Sequence, residues 1–203
     1  MITLASLIGL AGCGLVPANL VLSTSRVQRL HKALRGGLLL GLMLVAFIPI
    51  GGLPLGGYLR GITGDFSITT WMLLAGACLS RVMDRELYSF RSKAVLMFLI
   101  ATGGVFLYPM ALGLTAFDPY ILGFGSRPFL VVLFVLALWA VRRELYFINL
   151  CLIASVLAHT MGLLESRNLW DYLIDPWVTL YAIGFLTRWW WRARRKRMCP
   201  SVA

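Results

Sequence analysis

Charge is scarce in this chain. Only 13% of its 203 residues are Asp, Glu, Lys or Arg, about half the roughly 25% of an ordinary soluble domain. A soluble fold of this size leaves about 30% of its surface in water and needs polar residues to coat it. With 60% hydrophobic residues and a mean hydropathy of +0.83, that coat is missing. Composition therefore excludes a soluble enzyme, a secreted disulfide scaffold and a disordered chain.

Acidic residues are scarcer still, 8 against 19 basic ones, for a net charge of +11. Histidine occurs twice and cysteine four times. Cys13, Cys78, Cys151 and Cys199 show neither CxxC spacing nor a neighbouring histidine, so zinc and redox sites are not expected. His31 and His159 fall in different segments and are not expected to share a haem or a metal. Phosphate loop, nucleophile elbow and HExxH are all absent. We expect no metal and no cofactor.

Long apolar runs are what the chain has in quantity. A spanning helix needs about 20 mostly apolar residues, and six stretches qualify: Leu34–Leu55, Phe66–Leu79, Ala94–Phe117, Phe129–Val141, Phe147–Leu164 and Pro176–Phe185. The second, fourth and sixth are short and borrow flanking residues, such as Thr69 and Thr70 or Trp189 to Trp191. A membrane barrel would show short alternating segments instead. Backbone groups in hydrocarbon must be satisfied within each span. The expected fold class is therefore an all-α integral membrane protein, a polytopic bundle of six transmembrane helices plus a seventh at the N-terminus.

That seventh helix comes from Met1 to Ser25, which carries no charge. Residues 1–23 read as a span that starts outside, or as an uncleaved apolar leader. A poorly chosen translation start is a further reading. Leu10-Ala11-Gly12-Cys13 resembles a lipoprotein lipobox, but no basic residue precedes the apolar run as a signal peptide normally requires.

Orientation follows from the basic residues. Arg26, Arg29, Lys32 and Arg35 precede the first long run, and only Arg60 follows it. Arg81, Arg85, Arg91 and Lys93 come next, then Arg127 alone, then Arg142 and Arg143, then Arg167 alone. The tail holds Arg188, Arg192, Arg194, Arg195, Lys196 and Arg197, so one side carries 16 basic residues and the other 3. Positive loops stay cytoplasmic. This gives a basic cytoplasmic segment at 24–35, one bundle at 36–191 and a basic cytoplasmic tail at 192–203, in a bacterial inner membrane. The basic face is expected to meet anionic lipid headgroups, with no nucleic acid partner. Trp189-Trp190-Trp191 before the tail reads as an interfacial anchor.

The interior of the spans lacks ionisable residues, which counts against an ion-coupled transporter. Small residues lie there instead. Gly37 and Gly41, and Gly52 and Gly56, form GxxxG pairs, and Ala75-Gly76-Ala77 and Gly103-Gly104 lie inside runs. Such positions let helix backbones approach closely. Pro109 is expected to kink its span.

Five of the eight acidic residues fall in the three outer loops: Asp65, Asp118, Glu165, Asp171 and Asp175. Each loop also has one arginine and at least one aromatic residue. Asn168 is placed to cap a short helix bearing Trp170 and Tyr172. If the loops converge, Arg60, Arg127 and Arg167 with Tyr58, Tyr120 and Trp170 would grip a phosphate or carboxylate headgroup. Asp65, Glu165 or Asp171 with His159 would supply acid–base chemistry. The alternative is that arginine–carboxylate pairs simply hold the loops together. Tyr58, Tyr120 and Tyr172 also precede successive spans, a faint sign of three helical hairpins in one orientation.

Three functions remain in competition. An accessory or structural subunit of a cell-envelope membrane complex, with an integral membrane protein partner, is favoured. An outer-leaflet enzyme or binding protein for a lipid-linked or phosphate-bearing substrate is second. A passive transporter is weakest, and would require Ser67, Thr69, Thr70, Ser80, Ser155 and Thr160 to line one cavity.

Overall fold

A computed structural model of the protein describes residues 3–198. The chain is all-α and 77% helical. Cys199 and the residues after it lie outside the described residues, as do the side chains of Lys196 and Arg197.

The chain begins with helix α1 (Leu4–Leu22), whose first turn is capped by Thr3. A short turn of helix, α2 (Ser25–Gln28), leads to α3 (Lys32–Val45). A tiny antiparallel hairpin of β1 (Pro49–Ile50) and β2 (Leu53–Pro54) follows, then α4 (Leu55–Thr63). Next come α5 (Ile68–Met83), capped by Ser67, and α6 (Phe90–Pro109), capped by Ser89. Helix α6 runs on into a π turn, Met110–Leu114, and a 3-10 turn, Pro119–Gly123, precedes α7 (Arg127–Arg142). The remaining helices are α8 (Tyr146–Thr160), α9 (Leu169–Leu173) and α10 (Pro176–Met198).

Helices α1 and α5 run side by side in the same direction: Gly12 faces the Trp71 indole, and Asn19 bonds Arg81 about two to three turns later. Helix α3 doubles back against both, and its Met43 and Ala46 sit over Gly14. Their shared core holds Leu15, Ala18, Leu22 and Cys78. Helices α6 and α10 pack antiparallel, with Gly104 against Thr179 at one end and Phe90 against Phe185 at the other. Met97, Ile100 and Leu107 meet Ile148 and Cys151 of α8 and Val178 and Ala182 of α10 in the largest core. A third core joins Phe129 and Leu133 of α7 to Ala158, Leu169 and Tyr172.

The outer faces of these helices are apolar rather than polar. Phe98 and Val105, Val131, Phe134 and Val135, Ile153 and Leu157, and Leu180 all stand exposed. By length and composition two helices, Leu4–Leu22 and Phe90–Leu114, can cross a membrane. Ile68–Met83 and Tyr146–Thr160 are shorter apolar helices.

Several expectations need correction. The run Leu34–Leu55 is not one helix. It ends at Val45, because Pro49 and Pro54 lack amide protons and Gly51 and Gly52 take left-handed backbone angles, with φ of 60° and 90°. Helix α4 then lies beyond the hairpin. Pro109 closes the regular part of α6, where the helix passes into the π turn, and Gly113, at φ 85°, breaks the helical path inside that turn. Gly37 and Gly41 face open space, not a neighbouring helix. The close approaches are made by Gly12, Gly14, Gly76 and Gly104, with Gly56 against Ala46. The tyrosine echo marks no shared role: Tyr58 bonds the Ile50 carbonyl, Tyr120 bonds Asp171, and Tyr172 is fully buried.

Candidate functional site

The outer-loop residues form two separate knots. The first centres on Arg60 in the last turn of α4. Its guanidinium donates to both oxygens of Asp65, at 2.6 and 2.9 Å, and pairs with Glu165 at 2.7 Å. Asp65 follows Gly64, whose φ of 71° turns the chain back toward α4. The two carboxylates, Asp65 foremost, hold the Arg60 guanidinium protonated far above its ordinary range. One arginine thus ties α4, the entry to α5 and the loop after α8 together. Gly9 of α1 packs directly under this pair, where a side chain would collide with both groups.

The second knot surrounds α9. Asn168 caps that helix as expected, its Oδ1 accepting from the Trp170 amide at 3.0 Å. Its Nδ2 donates to the Tyr120 carbonyl at 2.8 Å, and the Trp170 indole donates to the Pro119 carbonyl at 3.0 Å. Asp171 accepts from the Tyr120 hydroxyl at 2.8 Å and from Ser166 at 2.5 Å. Burial, then the neighbouring Asp171 carboxylate, push the Tyr120 phenol up to about 12. Trp170 also stacks near Phe129, with centroids 4.4 Å apart. Beneath the knot the Tyr172 hydroxyl accepts from Leu164 N–H and donates among the Leu164 and Ser166 carbonyls.

The remaining predicted residues are not brought to either knot as reactive groups. The His159 ring nitrogen Nε2 lies 3.1 Å from the Arg167 carbonyl, and its ring meets Tyr172 edge-on. No carboxylate is within hydrogen-bond reach of His159 among the described residues. Arg127 and Arg167 are exposed, with no side-chain partner among the described residues. Tyr58 closes the small hairpin by donating to Ile50 at 2.7 Å. Among the described residues no three His, Cys, Asp or Glu side chains stand together as metal ligands.

A residue outside the predicted set proves the most deeply engaged. Asp175 is only 5% exposed. One oxygen accepts from the Ser67 amide at 2.9 Å and the Thr70 hydroxyl at 2.5 Å, and the other from the Val178 amide at 2.8 Å. It therefore caps α10 and α5 at once, a carboxylate lodged at two positive helix ends. No basic side chain pairs with it among the described residues. The opposite end of α5 has a matching clasp. Arg35, buried at 4% exposure, donates to both oxygens of Asp84 at 2.6 Å and also to the Arg81 carbonyl. Asp84 ends α5 in the left-handed region, and Arg35 holds its carboxyl well below the usual range.

The polar residues that a transport path would require do not line one cavity, although the Ser67 and Thr70 hydroxyls lie 3.0 Å apart. Thr70 lines the groove between α1, α5 and α10, whereas Ser67 caps α5, Ser155 bonds the Tyr172 carbonyl and Thr160 bonds Leu157 within its own helix. No protein-family model, no curated protein and no solved structure matches this chain.

Proposed function

We propose that this chain is a small polytopic integral membrane protein that serves as an accessory or structural subunit of a cell-envelope membrane complex. In this reading α1, α3, α5, α6, α7, α8 and α10 cross the membrane in alternation, with the C-terminus on the cytoplasmic side. Two observations support the topology. The exposed faces of the helices are apolar, as a lipid-facing surface requires. Sixteen of the 19 basic residues fall on one side of the alternating helices and three, Arg60, Arg127 and Arg167, on the other, with α3, about 21 Å long, completed outside by the hairpin and α4.

The observation that carries the functional reading is how the outer-loop charges are used. Arg60, Asp65, Glu165, Asp171 and Asp175 all bond to partners within the chain and tie one element to another. Catalysis would need a group left free to face a substrate, with a base beside it. None of the ten residues singled out from the sequence lines the cavity beside α6, the groove between α1, α5 and α10, or the cleft between Tyr88 and Glu144. A rigid outer cap on an apolar bundle fits a protein whose work is to hold a neighbour.

The test is purification of the tagged full chain from its native membrane in mild detergent, followed by native mass spectrometry. The expected result is a stoichiometric integral membrane protein in the same particle. A lone chain at every detergent concentration, with activity on a lipid-linked substrate lost in Arg127→Ala or Arg167→Ala, would replace this reading with the outer-leaflet enzyme.

A further inference from the structure

Between α1, α5 and α10 runs an open groove of about 520 Å³. Leu20, Leu73, Leu74 and Ala77 line its apolar length. Its outer end is closed by Trp177, whose indole donates to the Thr63 carbonyl at 3.0 Å. Its inner end opens between Arg81 and Lys93, and no carboxylate lines it. From Thr70 to Arg81 the groove follows α5 for about 17 Å at 1.5 Å per residue, close to half of a hydrocarbon core roughly 30 Å thick.

The two cations at its mouth are half-buried on the groove lining and, unlike Lys32, Arg35 and Arg60, unclaimed by a carboxylate. Lys32 and Arg35 share Asp84, and Arg60 has two carboxylates. Arg81 donates only to the Asn19 side chain at 2.5 Å and weakly to the Ala77 carbonyl, and Lys93 rests over the rings of Tyr181 and Phe185. Among the described residues neither has a carboxylate partner. Both are half-buried, so their charge is only partly answered by water.

We propose that this groove is a binding site for one anionic phospholipid of the cytoplasmic leaflet. The acyl portion lies along Leu73, Leu74 and Ala77, and the phosphate sits between Arg81 and Lys93. An apolar channel of one leaflet's depth fits a lipid tail, and two uncompensated cations at the depth of a headgroup fit its phosphate. The guanidinium fork of Arg81 suits phosphate oxygens, with Lys93 as a point charge beside it. The inference rests on the membrane-embedded reading above.

The test places the full chain in nanodiscs of phosphatidylcholine and phosphatidylglycerol, extracts it, and counts retained phosphatidylglycerol by native mass spectrometry. One retained phosphatidylglycerol per chain is expected. Arg81→Gln and Lys93→Gln should each weaken retention about fivefold, and together about 25-fold, the size expected of one surface cation each. Ala77→Phe, which fills the groove and leaves both charges, should also release the lipid. Arg192→Gln with Arg194→Gln should not. Circular dichroism confirms that each variant keeps its helices. Equal loss from the tail variants, indifference to Ala77→Phe, or a partner helix cross-linked to Leu74 would overturn the proposal while the membrane reading stood. A chain that purifies without lipid or detergent would overturn both.

Discussion

The sharpest perturbation available is at Asp175. Replacing it with alanine removes the cap of α10, typically about 1 kcal/mol. It also strips the Ser67 amide and the Thr70 hydroxyl of their charged acceptor in a site that is only 5% exposed. A buried donor left without a partner costs about 1–3 kcal/mol. The effect should therefore total at least roughly 3 kcal/mol, a change of about 150-fold or more in the folding equilibrium and a large part of an ordinary stability of about 5–15 kcal/mol.

The graded series gives the argument its edge. In Asp175→Asn one oxygen remains, able to serve Val178 or the Ser67 and Thr70 pair but not both, so about half the loss is expected. Thr70→Val removes one donor only, and should cost roughly 1 kcal/mol with a measurable coupling to Asp175. The assay is equilibrium unfolding in mixed detergent and SDS micelles, followed by circular dichroism. Asp175→Ala within about 0.5 kcal/mol of the parent, or Asp175→Asn indistinguishable from Asp175→Ala, would refute the double cap. Should the alanine variant fail to fold, the asparagine and valine variants still decide the matter.

Arg60→Ala should strand Asp65 and Glu165 together and lower stability by roughly 1–2 kcal/mol, the bond to partly buried Asp65 dominating the exposed one to Glu165; equal losses in Arg127→Ala would contradict it. Acid should loosen the clasp of Arg35 on Asp84. The Asp84 carboxyl is lowered in the fold, so its contribution is present above about pH 4 and lost as pH falls through the folded value. Asp84→Asn should remove that part of an acid unfolding curve. Base should act on the outer knot. The Tyr120 phenol is raised to about 12, so its contribution is complete below about pH 10 and lost above it, and Tyr120→Phe should flatten that limb. For topology, a cysteine introduced at Thr24 or at Gly125, in a chain with Cys199→Ser whose remaining Cys13, Cys78 and Cys151 are buried, should label oppositely in intact cells. A membrane-impermeant maleimide reaching both positions would refute the alternation.

Much of the helical architecture is legible because long apolar runs between polar, Gly- and Pro-bearing segments read as helices, so the order of α5 to α10 follows from residue types. The failure at Leu34–Leu55 has a definite cause. A hydropathy window averages over Pro49, Gly51, Gly52 and Pro54, and these four end the helix although each of them adjoins an apolar residue. GxxxG spacing misleads at Gly37 and Gly41 for a similar reason. The pattern says that a backbone can be approached, not that a neighbour is present.

The outer loops show the limit more plainly. The residue types suit a headgroup site and an internal lashing equally well, since an arginine fork accepts a carboxylate as readily as a phosphate. Deciding between them requires knowing that Arg60 finds Asp65 five residues on and Glu165 across the bundle. Asn168 was readable because capping is local, a side chain bonding an amide two residues away. Asp175 was readable in part: Asp followed by Pro is a helix-start signature. Its second role, at Ser67 and Thr70, joins residues more than a hundred positions apart, and no local pattern encodes it. The same holds for the pair at the mouth of the groove. Arg81 and Lys93 look like two among many basic residues until the fold gives Asp84 to Lys32 and Arg35 and sets these two, half-buried, on the lining of an apolar groove. What marks them out among the many cations without a carboxylate partner is that place in the groove, which no spacing in the sequence encodes.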